Sequence, residues 1–180
     1  RLFRRLERHI VAQRLEQGFL NSKGIDVDGF ITYSLSVQNR RKSRVGFALE
    51  HHLEEIFNIH GLTPSRGKKT ENKAKPDFIF PEIELYQDQS FPSSRLTMLG
   101  VKSTCKDRWR QVLSEAQRIR TKHLFTLEPG ISENQTNEMQ TQRVQLVLPQ
   151  ALHSTYKEQQ QPWLMNLGNF LELVKQRNNI

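Results

Sequence analysis

The 180-residue chain is 36% hydrophobic and 26% charged, and it carries a formal net charge of +8 at pH 7. That is enough chain for one domain with its own core, and no apolar run approaches the roughly 18 residues of a membrane-spanning helix. The one cysteine, Cys105, excludes an internal disulfide and a cysteine-built zinc site, while the positive surplus suits a polyanionic partner without naming one.

Leu2, Phe3, Leu6, Ile10, Val11, Leu15 and Phe19 recur at helical spacing over residues 2–19. Gly24 and Gly29 loosen the next stretch, and a short helix is predicted over Phe30–Val37. QNRRKSR (38–44) reads as a basic loop. Ser43 is the expected N-cap of a longer helix. Its stripe is Val45, Ala48, Leu49, His52, Leu53, Ile56 and Phe57, it stops at Gly61, and His52 faces the core. PSRGKKTENKAK (64–75) reads as a loop, DFIFP (77–81) as a short strand ended by proline, residues 86–95 as loop and Leu96–Thr104 as a strand. Trp109, Val112, Leu113, Ala116 and Ile119 predict a helix with Trp109 in the core. His123–Leu127 is a predicted strand, Ser132–Gln142 a helix and Val144–Leu148 a strand stopped by Pro149. KEQQQP (157–162) reads as a polar linker, and Leu167, Phe170, Leu171 and Val174 stripe a last helix.

Strand and helix alternate from residue 77 onward, which predicts an α/β fold with a central mixed β-sheet flanked by helices. No signal peptide is visible, so a cytoplasmic setting is the expectation. The start at Arg1 rather than methionine suggests a piece of a longer chain, with an upstream regulatory domain left out.

Chemistry concentrates around one strand end. In the strand before residue 104, Thr97, Leu99, Val101 and Ser103 share one face; Met98, Gly100, Lys102 and Thr104 share the other. Lys102 near the end of a buried strand either snorkels to water or serves a reaction. Asp77 after Pro76 is either a strand-start residue or a ligand. Glu115, flanking the Trp109–Ile119 stripe, is either solvated surface or an acid folded back over Lys102. Phosphodiester hydrolysis needs a magnesium ion held by one or two carboxylates, with a cation near the attacking water, and these three residues could supply that set. Four positive charges in QNRRKSR (38–44) are either a solvated run or phosphate contacts. His51, His52, His60, His123 and His153 show no metal-ligand spacing, and Cys105 has no base to activate it.

KPD (75–77) followed by VKS (101–103) resembles the PD-(D/E)XK nuclease core, with Gly100 where the acid two residues before the lysine is usual. In one subgroup of type II restriction endonucleases that acid moves onto the next helix, some twelve or thirteen residues after the lysine, and Glu115 stands 13 after Lys102. NRRKSRVGFALEHHLEEIF, AKPDFIFP, KSTCKDRWRQVLSEA and LFTLEPGIS together resemble the catalytic domain of the EcoRII-like restriction endonucleases, over most of residues 30–155. The resemblance implies a restriction-endonuclease-like core and a single catalytic nuclease domain over 1–180. It implies Mg2+ as cofactor, with Asp77 and Glu115 as its ligands, Lys102 as the catalytic lysine and Glu50 as an additional active-site acid.

It further implies a partner, double-stranded DNA cut at a palindromic CC…GG-type site (CCWGG-like), and therefore a homodimer. Lys106, Asp107 and Arg108 would read C·G pairs, chemistry that suits guanine O6/N7 and cytosine N4, with Arg110 beside them. The competing reading is an Asp107 helix cap with Arg108 and Arg110 solvated. Arg40, Arg41, Lys42 and Arg44 would contact phosphates, and some relatives flip a base pair, a role open here to Phe30, Tyr33 and these arginines. Two other functions stay in view: a repair or junction-resolving nuclease of the same core, and a non-catalytic DNA-binding module.

Overall fold

The computed structural model describes residues 2–179, apart from the side chains of Leu2, Lys106 and Asp107. Two compact units divide at Arg44 and Val45. In the first, α1 (Leu2–Glu16) leads to a hairpin of β1 (Leu20–Asn21) and β2 (Gly24–Ile25), in which Gly24 takes the positive φ of the turn. Asp26 then caps α2 (Val27–Ile59), its Oδ1 accepting from Gly29 N at 2.9 Å. Phe19 packs edge-on against Phe30, ring centroids 5.4 Å apart. Phe3, Leu6, Leu15, Leu20, Ile25, Phe30, Ile31 and Leu35 are all exposed.

α2 corrects the sequence reading twice. There is one helix of 33 residues where two were predicted, so Ser43 is not an N-cap and QNRRKSR is not a loop. Arginine, lysine and glutamine propagate a helix well, and no proline interrupts the run. The stripe is also narrower than predicted. Leu53 and Phe57 are buried, with Leu49 and Ile56 packed beside them, while Val45, Ala48 and His52 are exposed. His52 lies at the edge of the stripe and outside the core.

The second unit is built on a six-stranded mixed sheet in the order β3-β4-β5-β6-β7-β8. These are β3 (Ser65–Arg66), β4 (Phe78–Phe80), β5 (Thr97–Lys102), β6 (Lys122–Thr126), β7 (Val144–Leu148) and β8 (Met165–Asn166). The first two pairings are antiparallel and the last three parallel. Strand alternation makes two cores. On one face Phe78, Phe80, Leu99, Val101, Phe125 and Val147 meet Leu53 and Phe57 of α2 and Phe170, Leu171 and Val174 of α5 (Leu167–Asn178). On the other, Ile79, Met98, Leu124 and Leu146 meet Trp109, Val112 and Met139, the last from α4 (Glu133–Thr141). Trp109 is fully buried, as its position on the apolar stripe predicts.

Three predicted segments differ in detail. Lys106–Ser114 winds as 3₁₀ turns, and the predicted helix does not reach Ile119, because Ala116 takes a positive φ of 47°. Trp109 and Val112 are three apart, a spacing that serves either kind of helix. The loop after residue 64 contains β3. The KEQQQP linker is held in place by Gln160, whose amide donates to Ile131 O at 2.9 Å and to Thr136 Oγ1 at 2.8 Å. A short α3 (Ile83–Gln87) follows β4.

His123 sits in β6 against Phe170, ring centroids 5.3 Å apart, with Nδ1 buried and unpaired. Burial, reinforced by the nearby Arg177 charge, lowers its pKa from 6.5 to about 4. The unfolded chain therefore binds the proton first as pH falls. Stability is full above about 6.5 and is lost as pH drops toward 4, by up to about 3 kcal/mol at about 1.4 kcal/mol per pH unit. Chemical denaturation between pH 7 and 4 should show that slope, and His123→Leu should flatten it.

Candidate active site

Asp77 precedes β4 by one residue, and its carbonyl accepts from Gly67 N at 3.0 Å. The register pairs Phe78 with Leu99, so the backbone ladder between β4 and β5 ends just where Asp77 begins. Val101 N lies beyond that ladder and takes the Asp77 carboxylate instead, donating to Oδ2 at 2.6 Å. Lys102 Nζ donates to the same oxygen at 3.2 Å. Both side chains are mostly buried, at 14% exposure for Lys102 and 19% for Asp77.

Glu115 enters from the other side. The 3₁₀ turns end at Ser114, and Glu115 and Ala116 make a bend packed over β5. Lys122, the first residue of β6, clamps it: Nζ donates to Glu115 O and, at 2.5 Å, to Ala116 O. Glu115 Oε2 is buried without a hydrogen-bond partner. Burial raises the Glu115 pKa to about 7; Asp77 adds to the rise, and Lys102 and Lys122 oppose it. Lys122 is lowered to about 8, chiefly by burial.

A buried carboxylate oxygen with no donor, beside a second carboxylate, suits a divalent cation. Among the described residues no group of three or more acids, histidines or cysteines is poised to hold a metal. Magnesium does not need one: it accepts one or two carboxylates and completes its shell with water and substrate phosphate oxygens. Asp77 and Glu115 fit that requirement.

The geometry also explains Gly100. A Cβ there would lie 2.7 Å from Val112 Cγ1. Val112 thus fills the space a side chain two positions before Lys102 would need, and Glu115 lies three residues after Val112.

Glu50 is not joined to this cluster by any described bond. Its Oε2 accepts from Arg66 Nε at 3.2 Å and Nη2 at 2.9 Å, and Arg66 also holds Glu54 at 2.8 Å. The pattern alone would leave Glu50 unpaired; β3 brings it Arg66. The basic residues of the readout and phosphate sets are divided. The side chains of Lys106 and Asp107 lie outside the described residues, and Arg108 is exposed. Arg110 is paired with Glu138, Nη2 to Oε2 at 2.6 Å, and its guanidinium lies 4.9 Å from the Trp109 ring. Within the first unit, Arg41 and Arg44 both bind Glu7, at 2.5 and 3.2 Å, Arg40 bonds back to Ser36, and Lys42 is exposed. Tyr33 OH is buried and unpaired.

Two residues with a part in the site carry little sequence signal. Lys122 reads as a strand-edge lysine. Glu128, in the loop after β6, accepts from Cys105 N at 2.6 Å and so fixes the chain leading into Lys106. Cys105 itself is buried, its thiol pushed up to about 12 by burial, consistent with an inert residue.

The sheet and its flanking helices have the fold of a restriction endonuclease. The structure of metal-depleted Ecl18kI in complex with uncleaved DNA superimposes with a TM-score of 0.70 at 22% identity, covering 81% of this chain and 49% of that one. Metal-depleted Ecl18kI with uncleaved, modified DNA gives 0.69 at 21% identity over the same shares. The chain belongs to the EcoRII C-terminal family, whose pattern matches residues 3–171. It is 51% identical over 146 residues to the type II restriction enzyme EcoRII of Escherichia coli, an alignment covering 81% of this chain and 36% of that enzyme. The chain thus spans about a third of that relative's length and half of the solved chains.

A double-mutant cycle tests the packing at Gly100. Gly100→Ala should cost about 1–3 kcal/mol by overpacking and distinctly less in a Val112→Ala background, where the obstructing methyl is gone. Equal penalties in urea unfolding of the two backgrounds would dissociate the glycine from Val112.

Proposed function

We propose that this chain is the nuclease domain of a type II restriction endonuclease. It hydrolyses phosphodiester bonds of double-stranded DNA at a CC…GG-type palindrome, using magnesium. The observation that carries the reading is the buried, donorless Glu115 carboxylate set beside the Asp77–Lys102 pair at one strand end. Family membership and the DNA-bound neighbours in fold support DNA as substrate.

In this reading the core is of the PD-(D/E)XK type with a displaced glutamate. Asp77 and Glu115 would hold the magnesium ion, which supplies Lewis-acid stabilisation of the phosphate and activation of a bound water. Asp77 is already oriented by Val101 N through one oxygen, which leaves its other oxygen available as a metal ligand. Lys102 is kept near that oxygen and offers its ammonium to the developing charge on the scissile phosphate. Lys122 keeps Glu115 over the site through two backbone carbonyls. Glu50, bound to Arg66, joins the cluster as an additional acid only if that ion pair exchanges partners.

Sequence readout falls to the chain just after Lys102. Lys106, Asp107 and Arg108 follow on a segment anchored by Glu128, four to six residues from the catalytic lysine. Recognition of C·G pairs there positions the backbone over the acids. A palindromic target calls for two copies related by a two-fold axis. The exposed apolar side chains of the first unit, Phe3, Leu6, Leu20, Ile25 and Ile31 among them, support burial against a second copy.

Asp77→Asn and Lys102→Met should each lower cleavage of a CC…GG plasmid in magnesium by about a thousandfold or more, the scale of losing a charge-stabilising group. Specific duplex binding should survive in calcium. Cleavage at wild-type rate by either variant would remove that residue from the reaction.

Arg108→Ala should lose about one to two decades of affinity for the matched duplex, the worth of one good base contact. Binding to a mismatched duplex should hardly change. Equal weakening of both, with a shallower salt dependence, would make Arg108 a phosphate contact.

A further inference from the structure

At the opposite end of β5 from Lys102, roughly 17 Å along the strand, a cleft of about 250 Å³ opens among Ser93, Ser94, Arg118, Arg120, Thr121 and Arg177. It gathers three guanidinium groups. Arg118 is fixed by neutral groups: its guanidinium lies 5.6 Å from the centre of the Tyr86 ring, Nη1 donates to Tyr86 O and to Asp88 O at 2.9 Å, and Nη2 to Phe91 O at 2.8 Å. Arg177 donates through Nη1 to Thr97 Oγ1 at 3.0 Å and Leu96 O at 3.5 Å. Arg120 is exposed. Among the described residues none of the three forms an ion pair, and no carboxylate lines the cleft. Asp88, whose charge Arg118 does feel, has its Oδ1 occupied by Ser90. A fourth arginine, Arg95, donates to Arg177 O at 3.1 Å and Asn178 O at 3.3 Å, which quenches the negative end of α5 beside the cleft.

Partly buried cations held by neutral groups are costly unless an anion completes them. Burial lowers the Arg177 pKa, and nothing nearby offsets it. Among the described residues the Nε and Nη2 donors of Arg177 meet no acceptor, and the two serines and Thr121 add hydroxyl donors beside it. Arginine forks with hydroxyls are the donor set that fits tetrahedral oxyanions. The volume, below that of most sites for larger ligands, suits one such group.

We propose that this cleft is a phosphate-binding site, separate from the Asp77–Lys102–Glu115 cluster and taking a single phosphate group. That group comes either from a small phosphate compound or from the backbone of DNA. The site is independent of the nuclease reading, because none of its residues takes part in cleavage.

Calorimetric titration of the intact chain with inorganic phosphate in chloride buffer tests the first source. Saturable binding is expected, weakened at least tenfold in Arg120→Glu and in Arg177→Gln. Arg120 is exposed and makes no described bond, so its variant should fold even if the Arg177 variant does not. The second source is tested with a duplex lacking the CC…GG site. If DNA phosphate occupies the cleft, Arg120→Glu should reduce the slope of log affinity against log salt by about one. In both cases cleavage of cognate DNA at saturating enzyme should match wild type; loss of cleavage in the folded Arg120→Glu variant would overturn the cleft's separation from the active site. Phosphate binding that survives both substitutions overturns the proposal. So does the absence of phosphate binding together with an unchanged salt slope.

Discussion

The candidate site at the end of this sheet depends on one carboxylate oxygen. Strand β4 begins too late to pair with Val101, and Asp77 Oδ2 stands in for the missing strand by accepting Val101 N at 2.6 Å. A charged acceptor for a backbone N–H is stronger than a neutral one. The same oxygen takes Lys102 Nζ at 3.2 Å. A ladder that ends one residue early therefore both satisfies β5 and aligns an acid with a base. The parallel pairing of β5 with β6 then sets Lys102 level with Thr126, so the loops after both strands leave from the same end.

The second acid reaches that point by a different device. Val112 fills the space over Gly100, so the face of β5 that would carry an acid is closed by packing. The chain turns instead at Ala116, with φ of 47°, and Lys122 supplies donors to the two carbonyls that the turn exposes. A buried lysine whose pKa is lowered to about 8 is a costly clamp, and an unpaired buried Glu115 oxygen is costly as well. A buried acid and a buried lysine with shifted pKa values, set together at one strand end, are the pattern of a site arranged for charge that arrives with its ligand.

Basic residues are distributed by partner rather than by count. Arg41 and Arg44 share Glu7, Arg110 pairs with Glu138, and Arg66 pairs with both Glu50 and Glu54. Arg108, Lys42 and Arg120 stay exposed, and the cleft at the far end of β5 holds arginines answered by carbonyls, a hydroxyl and the Tyr86 ring. A net charge of +8 states the surplus; pairing decides where it acts.

Strand alternation in TMLGVK was enough to separate the faces of Leu99 and Met98 and to place Lys102 opposite Val101, because a period of two follows from backbone geometry alone. The α/β alternation after residue 77 and the burial of Trp109 were equally legible. The motif spacing named Asp77, Lys102 and Glu115 together. Periodicity could not tell a 3₁₀ turn from an α-helix over Trp109 and Val112, nor see that one helix runs on through Ser43, where good helix formers continue it. Nor could it find Lys122, Glu128 or Arg66, since each acts on a residue distant in sequence. The tertiary structure alone decided that Gly100 has no room for an acid and that Glu50 is bound to Arg66. Those outcomes depend on which atoms occupy a shared space, and spacing along one chain does not contain that information.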